Sequence, residues 1–219
     1  MVLEKLDLTL KGATITGMVA PNGSGKTTLL RILAGQYRQP AECLSIDGIK
    51  PQQQAKYLRK LFFAEDAHYL DPALNALDYL LYVKKMWRSG ASIVQLAEQT
   101  GVAAFCKKPI RTLSLGMKQQ LIIALCLASD APYILLDEPM NGLDPTNTQT
   151  VSLLLRKMRR EGKAILMSSH LLTNIDALAD EVIFLKDGKI AQHLTGDRID
   201  SAATYRALYL TDSQENLLC

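Results

Sequence analysis

The 219-residue chain contains no apolar run long enough to cross a bilayer. Its longest, Leu121–Ala128, ends at Ser129 and Asp130, well short of the roughly 20 residues that a spanning helix needs. The opening MVLEKLDLTLKG scatters charges where a secretory leader has its apolar centre, so no signal peptide is expected. Cysteine is scarce. Cys43, Cys106, Cys126 and Cys219 are far apart and form no C-x-x-C pair, which argues against a zinc knuckle or disulfide framework and for reduced thiols. Neither sign of charge dominates: 25 Lys and Arg against 22 Asp and Glu leave +3, too mild for a polyanion-binding surface, and no nucleic-acid partner is expected. Internal repeats, low-complexity tracts and long linkers are absent as well.

What is present is ordinary globular material, 48% hydrophobic and 21% charged, enough for a sizeable core. At roughly 150 residues per domain, the length suits one domain carrying an insert. Short β-rich runs alternate with helical patterns. Strands are expected at Ala13–Ala20, Cys43–Ile46, Leu61–Ala64, Tyr133–Asp137, Ala164–Ser168 and Val182–Leu185. Helices are expected at Lys26–Gly35, Val151–Arg160 and Leu171–Ala179. Between about 71 and 130 the character changes to a helical insert, with NALDYLLYVKKMW and IVQLAEQTGVAAF as its first helices. Asp187-Gly188 predicts a terminal hairpin. The alternation predicts an α/β fold, a parallel sheet with helices on both faces.

Two segments carry chemistry. Ala20-Pro21-Asn22-Gly23-Ser24-Gly25-Lys26-Thr27-Thr28 follows a strand and opens a helix, the context of a phosphate-binding P-loop. Gly23 and Gly25 let the backbone turn its N–H groups inward, and the helix start adds its positive end. Lys26 supplies a point charge for phosphates and Thr27 a hydroxyl for Mg²⁺. The pattern's first glycine is Ala20, harmless unless that position needs positive φ. The second segment, the strand YILLD followed by Glu138, delivers two carboxylates to a strand end. Asp137 suits Mg²⁺, and Glu138 suits the polarisation of an attacking water as general base.

With Leu113-Ser114-Leu115-Gly116-Met117-Lys118-Gln119-Gln120, these segments resemble the nucleotide-binding subunit of an ABC transporter. LSLGMKQQ is similar to the family signature, Asn141–Pro145 (NGLDP) to its D-loop, and His170 after AILMS to its switch histidine. The resemblance covers nearly the whole chain. It implies an ABC-type P-loop ATPase fold with a helical subdomain and a shortened N-terminal antiparallel β-subdomain. It implies ATP and Mg²⁺ as ligands, and His170 at the γ-phosphate. It also implies a head-to-tail pair, in which Ser114, Gly116 and Asp144 of one subunit serve ATP held by a second ATP-binding subunit, the same or related. A separate membrane permease would tie the pair to the inner face of the cell membrane, and the aromatic-rich stretch Asp71–Trp87 is the candidate docking surface. GMKQ and NGLDP look most like bacterial drug, bacteriocin or ABC-2-type exporters.

Several positions depart from the family pattern. Leu115 and Met117 replace signature Gly and Gln, and Gln120 replaces an arginine that makes a structural ion pair. Glu65 stands where the Q-loop glutamine belongs; it is expected to reach water or Mg²⁺. The stretch before Lys26 is shorter than is usual, and VLEKLDLTLKG resembles only the second strand of the β-subdomain. The adenine-stacking aromatic has no counterpart, and weak ATP affinity is expected. Two other functions compete with the transport motor: an ATP-sensing regulatory subunit that barely hydrolyses, and a soluble ABC ATPase acting on ribosomes or DNA.

Overall fold

The computed structural model describes residues 6–37, 44–196 and 199–210. A single six-stranded sheet organises them. Its strands are β1 (Thr14–Val19), β2 (Leu61–Ala64), β3 (Tyr133–Leu136), β4 (Ala164–Ser168), β5 (Glu181–Lys186) and β6 (Lys189–Thr195). They run in the order β2-β3-β4-β1-β5-β6, parallel throughout except for the antiparallel pair β5–β6. That pair is the expected hairpin. Asp187 and Gly188 both have positive φ, 50° and 73°, as a two-residue turn matched to strand twist requires.

Strand residues alternate between two cores, as the period of two demands. Ile15, Val19, Ile134, Leu136, Ile165, Met167, Val182 and Phe184 join one core. Met18, Leu135, Leu166, Ile183 and Leu185 join the other. The second core is closed by α1 (Lys26–Leu33) and by Tyr57 of α2 (Gln54–Lys60). The first is closed by α3 (Ala76–Trp87), α4 (Ile93–Gln99), α5 (Leu115–Ser129), α6 (Pro145–Arg160) and α7 (Leu172–Leu178). Residues of α5 are buried around almost its whole circumference, which explains its lack of an amphipathic pattern. The helical stretch therefore shares the core of the sheet. Trp87 anchors it, donating from Nε1 to the Leu61 carbonyl at 3.1 Å and packing its ring 5.1 Å from Phe62.

Besides the unexpected α2, four elements differ from expectation. Helix α6 starts at Pro145, six residues before Val151, because the Asp144 carboxylate caps the Asn147 N–H and proline suits the first turn; the polar PTNTQT hides this start. The helix expected over 93–105 stops at Gln99, where Gly101 turns into φ 75° and Val102–Ala104 tightens to a 3₁₀ turn. An unexpected α8 (Ser201–Tyr209) is capped by Asp200 and tied down by the Tyr209 hydroxyl donating to the Leu185 carbonyl at 2.7 Å. In the expected N-terminal β-region, Leu6, Leu8 and Leu10 are half-buried between exposed Asp7 and Thr9, a strand-like alternation, yet they pair with no strand among the described residues. What remains there is one antiparallel bridge, Ile46 with Ile49, around Asp47-Gly48. Residues 1–5 of that region, and Cys43 of the expected Cys43–Ile46 strand, lie outside the described residues.

The register decides what meets at the sheet's carboxyl edge. Val19, Ala64, Leu136 and Ser168 end their strands on the same side, so the segments that follow them converge. Two backbone bonds stitch these ends: Asp137 N–H to the Ala64 carbonyl at 3.0 Å and Ser169 N–H to the Met18 carbonyl at 3.1 Å.

Candidate functional site

A cleft of about 320 Å³ opens at that edge, lined by Asn22, Gly23, Gly25, Lys26, Thr27, Thr28, Asp137 and Glu138. Its floor is the loop between β1 and α1. Gly23 and Gly25 have φ of 79° and 102°, and Gly25 is the N-cap of α1. No side chain caps that helix, so its first-turn N–H groups stay open to an anion. Ser24 closes the loop, donating from Oγ to the Pro21 carbonyl at 2.6 Å. Ala20 is buried in the second core and does not have positive φ, so its methyl costs the loop nothing.

Lys26 is the buried cation of the cleft. Its Nζ donates to the Ala20 carbonyl at 2.7 Å and the Pro21 carbonyl at 3.3 Å. Burial lowers its pKa, and the nearby charges of Glu138 and Asp137 partly offset that shift. Thr27 and Asp137, 110 positions apart, meet at 2.6 Å, the hydroxyl donating to Oδ2. Ser168 completes the cluster: its hydroxyl donates to Asp137 Oδ1 at 2.5 Å and accepts from the Glu138 N–H at 2.9 Å. Glu138 needs that support, since its backbone sits at φ 49°, a sparsely populated conformation for a residue with a side chain. Its carboxylate meets His170, with Oε2 2.8 Å from Nδ1 and 3.3 Å from the backbone N–H. The arrangement places a phosphate-sized anion site beside a hydroxyl–carboxylate pair and a carboxylate–imidazole pair.

Glu65 does not join this cluster. Its Oε1 accepts from Arg31 Nε at 2.6 Å, and it lines a separate groove with Phe63, Tyr69, Tyr79, Tyr82 and Trp87. The hydrogen bond from Arg31 is the main cause of that guanidinium's raised pKa. No group of three or more His, Cys, Asp or Glu able to hold a metal by itself exists among the described residues.

Ser114, Gly116 and Asp144 line no part of the phosphate cleft and gather elsewhere. The Ser114 hydroxyl caps α5, accepting from the Met117 N–H at 3.2 Å, while Asp144 caps α6. The bond to the Asn147 backbone N–H is the first cause holding the Asp144 carboxyl below its ordinary range. Three contributors escaped the sequence pattern: Ser168, Arg31 and Asn147. Ser168 ends the expected strand AILMS, and its position on the cleft side was its one signal.

A family model described as "ABC transporter" matches residues 3–141. A second, described as an AAA domain with a putative AbiEii toxin, type IV toxin–antitoxin system, matches only residues 108–176. The lantibiotic transport ATP-binding protein SrtF of Streptococcus pyogenes is 32% identical over 190 residues, 86% of this chain and 82% of that one. The SkfA peptide export ATP-binding protein SkfE of Bacillus subtilis is 29% identical over 209 residues, covering 93% and 87% of the two chains. Among solved structures, the dimeric cassette MJ0796 bound to ADP and Pi superposes with a TM-score of 0.78 at 26% identity, covering 91% of this chain and 92% of that one. An ATP-binding subunit of an ABC transporter superposes with a TM-score of 0.80 at 22% identity over 99% of this chain and 92% of that one, a likeness of fold.

Proposed function

The chain belongs to the ABC transporter family as an ATP-binding, ATP-hydrolysing subunit, and on that premise we propose how its residues divide the work. The loop from Ala20 to Thr28 cradles the phosphates of ATP, with Lys26 neutralising the β- and γ-phosphates. Mg²⁺ fits beside them. Thr27 Oγ1 and Asp137 Oδ2, 2.6 Å apart, are two hard oxygen donors that would hold the ion. That ion would neutralise charge on the transferred phosphoryl group. Glu138 polarises the attacking water as general base, and His170 orients Glu138 and reaches toward the γ-phosphate.

The observation that carries this reading is the convergence of three sequence-distant segments, the loop before α1, Asp137-Glu138 after β3 and Ser168–His170 after β4, at the sheet's carboxyl edge. Ser114 and Gly116 at the start of α5 offer a second anion-binding surface away from that cleft, with Asp144 beside it, which supports a head-to-tail dimer where each chain completes the other's site. We read residues 1–219 as one ATPase domain with a helical insert at about 71–130; the shared core supports this.

No helix among the described residues is long and apolar enough to cross a membrane. We propose that the subunit acts through a separate permease that holds it at the inner face of the cell membrane. The docking surface is the groove of about 290 Å³ between β2 and α3, lined in part by exposed Tyr69 and Tyr82. The relatives named for lantibiotic transport and peptide export support an exporter, with a peptide as the leading class of cargo.

Single-turnover ATP hydrolysis tests the central assignment. Glu138→Gln should slow the chemical step by about 10²- to 10⁴-fold while nucleotide still binds. Equal rates for wild type and variant would overturn Glu138 as the base and favour a regulatory ATP sensor.

A further inference from the structure

The N-terminal turns of α5 and α6 interlock through two glycines, each receiving a side chain from the other segment. A Cβ placed on Gly116 would sit 2.6 Å from Asn147 Nδ2 and 2.8 Å from its Cγ. A Cβ placed on Gly142 would sit 2.7 Å from Leu115 Cδ2, and Gly142 has φ 69° besides. So Gly116 of the first segment makes room for Asn147 of the second, and Gly142 of the second makes room for Leu115 of the first.

Asn147 cannot simply swing away. Its backbone N–H donates to Asp144 Oδ1 at 2.9 Å, its side-chain amide donates to Asp144 Oδ2, and its Oδ1 accepts from Gln120 Nε2 at 3.4 Å. One half-buried amide thus contacts three things at once: the Gly116 backbone, the carboxylate that caps α6, and the second turn of α5. Exposed Ser114, Leu115, Asn141 and Asp144 surround it, so a shift of Asn147 moves the surface those residues present.

We infer that Asn147 is a positioning residue for ATP hydrolysis. It holds the start of α5 and the start of α6 as one unit, so that Ser114, Gly116 and Asp144 reach the nucleotide of a second copy in a single geometry. This rests on the reading that those three residues serve ATP across a dimer. In this chain Gln120 takes part through an amide–amide hydrogen bond, and Leu115 packs its Cδ2 over Gly142, whose φ of 69° favours glycine.

A double-mutant cycle on the full chain tests it, with Gln120→Ala, Asn147→Ala and the pair together. Three readouts apply: kcat for ATP, the Kd of a fluorescent MANT-ATP probe, and the thermal midpoint. Asn147→Ala is expected to lower kcat about tenfold, since small misplacements of reacting groups are costly, and to leave the MANT-ATP Kd within about twofold because the phosphate cleft lies elsewhere. Gln120→Ala is expected to act only by releasing the Asn147 amide, so the double variant should lose no more than Asn147→Ala alone. Independent effects would instead multiply, and a multiplied loss overturns the proposal. An unchanged kcat in Asn147→Ala overturns it too. If Asn147→Ala does not fold, Asn147→Ser, which keeps a hydroxyl toward Asp144, replaces it in the cycle with the same expectation of no additive loss. A wild-type chain that binds no MANT-ATP would overturn the nucleotide reading itself; intact binding with multiplied losses overturns the role of Asn147 alone.

Discussion

Arg31 and Glu65 form a 2.6 Å ion pair that joins the helix behind the phosphate loop to the end of strand β2. Arg31 lies one helical turn beyond Thr27, and its Nη2 donates to the Tyr69 hydroxyl, at 3.4 Å, in the aromatic groove. The pair neutralises the Glu65 carboxylate at the end of β2, and it links the nucleotide helix to the surface proposed for the permease. Arg31→Ala should raise the ATP KM about fivefold, within the ordinary range for a partly exposed pair. Adding Glu65→Gln should restore most of the affinity by removing the orphaned charge. Steady-state ATPase titrations of the two variants decide this, and a double variant as weak as Arg31→Ala would refute the compensation.

The state of Lys26 sets a pH limit on nucleotide binding. Burial holds its pKa below the ordinary lysine value of 10.5. A lysine whose folded pKa is lowered loses its proton earlier on alkaline titration than the same lysine in the unfolded chain. Folding therefore carries the cost of burying this charge at low pH, and the cost lifts as pH rises through the window between the lowered value and 10.5. Nucleotide affinity should move the opposite way, being full below that window and falling within it. MANT-ATP titrations between neutral pH and pH 10 should show the fall, and Lys26→Arg should flatten it.

Ser168 is fully buried and serves two partners, Asp137 and the backbone of Glu138. Ser168→Ala leaves the Glu138 N–H and one Asp137 oxygen short of a bond, an expected destabilisation of about 1–3 kcal/mol. Because it also frees Glu138 from its constrained backbone, kcat should fall by about tenfold or more. Urea unfolding and ATPase assays measure the two effects separately.

Ala20→Gly recreates the glycine that begins the usual phosphate-loop pattern, yet should not improve binding. Ala20 lacks positive φ, and its methyl is buried in the second core. The MANT-ATP Kd should stay within about twofold, and stability should fall by about 1 kcal/mol from the lost methyl and the added backbone freedom. A tighter Kd would mean that the methyl obstructs the loop.

Much of this architecture was legible from local pattern. The strands at 61–64 and 164–168 fall where apolar β-rich runs predicted them, because burial on both faces leaves little else for such runs to do. The start of α6 was not legible, because its first turn is polar and held by a cap rather than by an apolar stripe. Helix α8 escaped for a related reason: it depends on the Tyr209 bond to Leu185 and on packing against α7 and β5.

The sequence by itself determined the chemistry that spans a few neighbouring residues. Gly23 and Gly25 before Lys26 specify the loop, Asp137-Glu138 ends a strand with two carboxylates, and Ser114 caps the helix that follows it. Only the tertiary structure decided which of these meet. The parallel register set Thr27 against Asp137 and Ser168 between Asp137 and Glu138. It placed Glu65 against Arg31, away from the proposed metal site, and the packing of α5 on α6 set Gly116 against Asn147. The physical reason is range. Dihedral preference, capping and periodicity act over a turn or a strand, whereas contacts across 110 positions follow from strand order and from which faces pack, and these are settled only when the whole core closes.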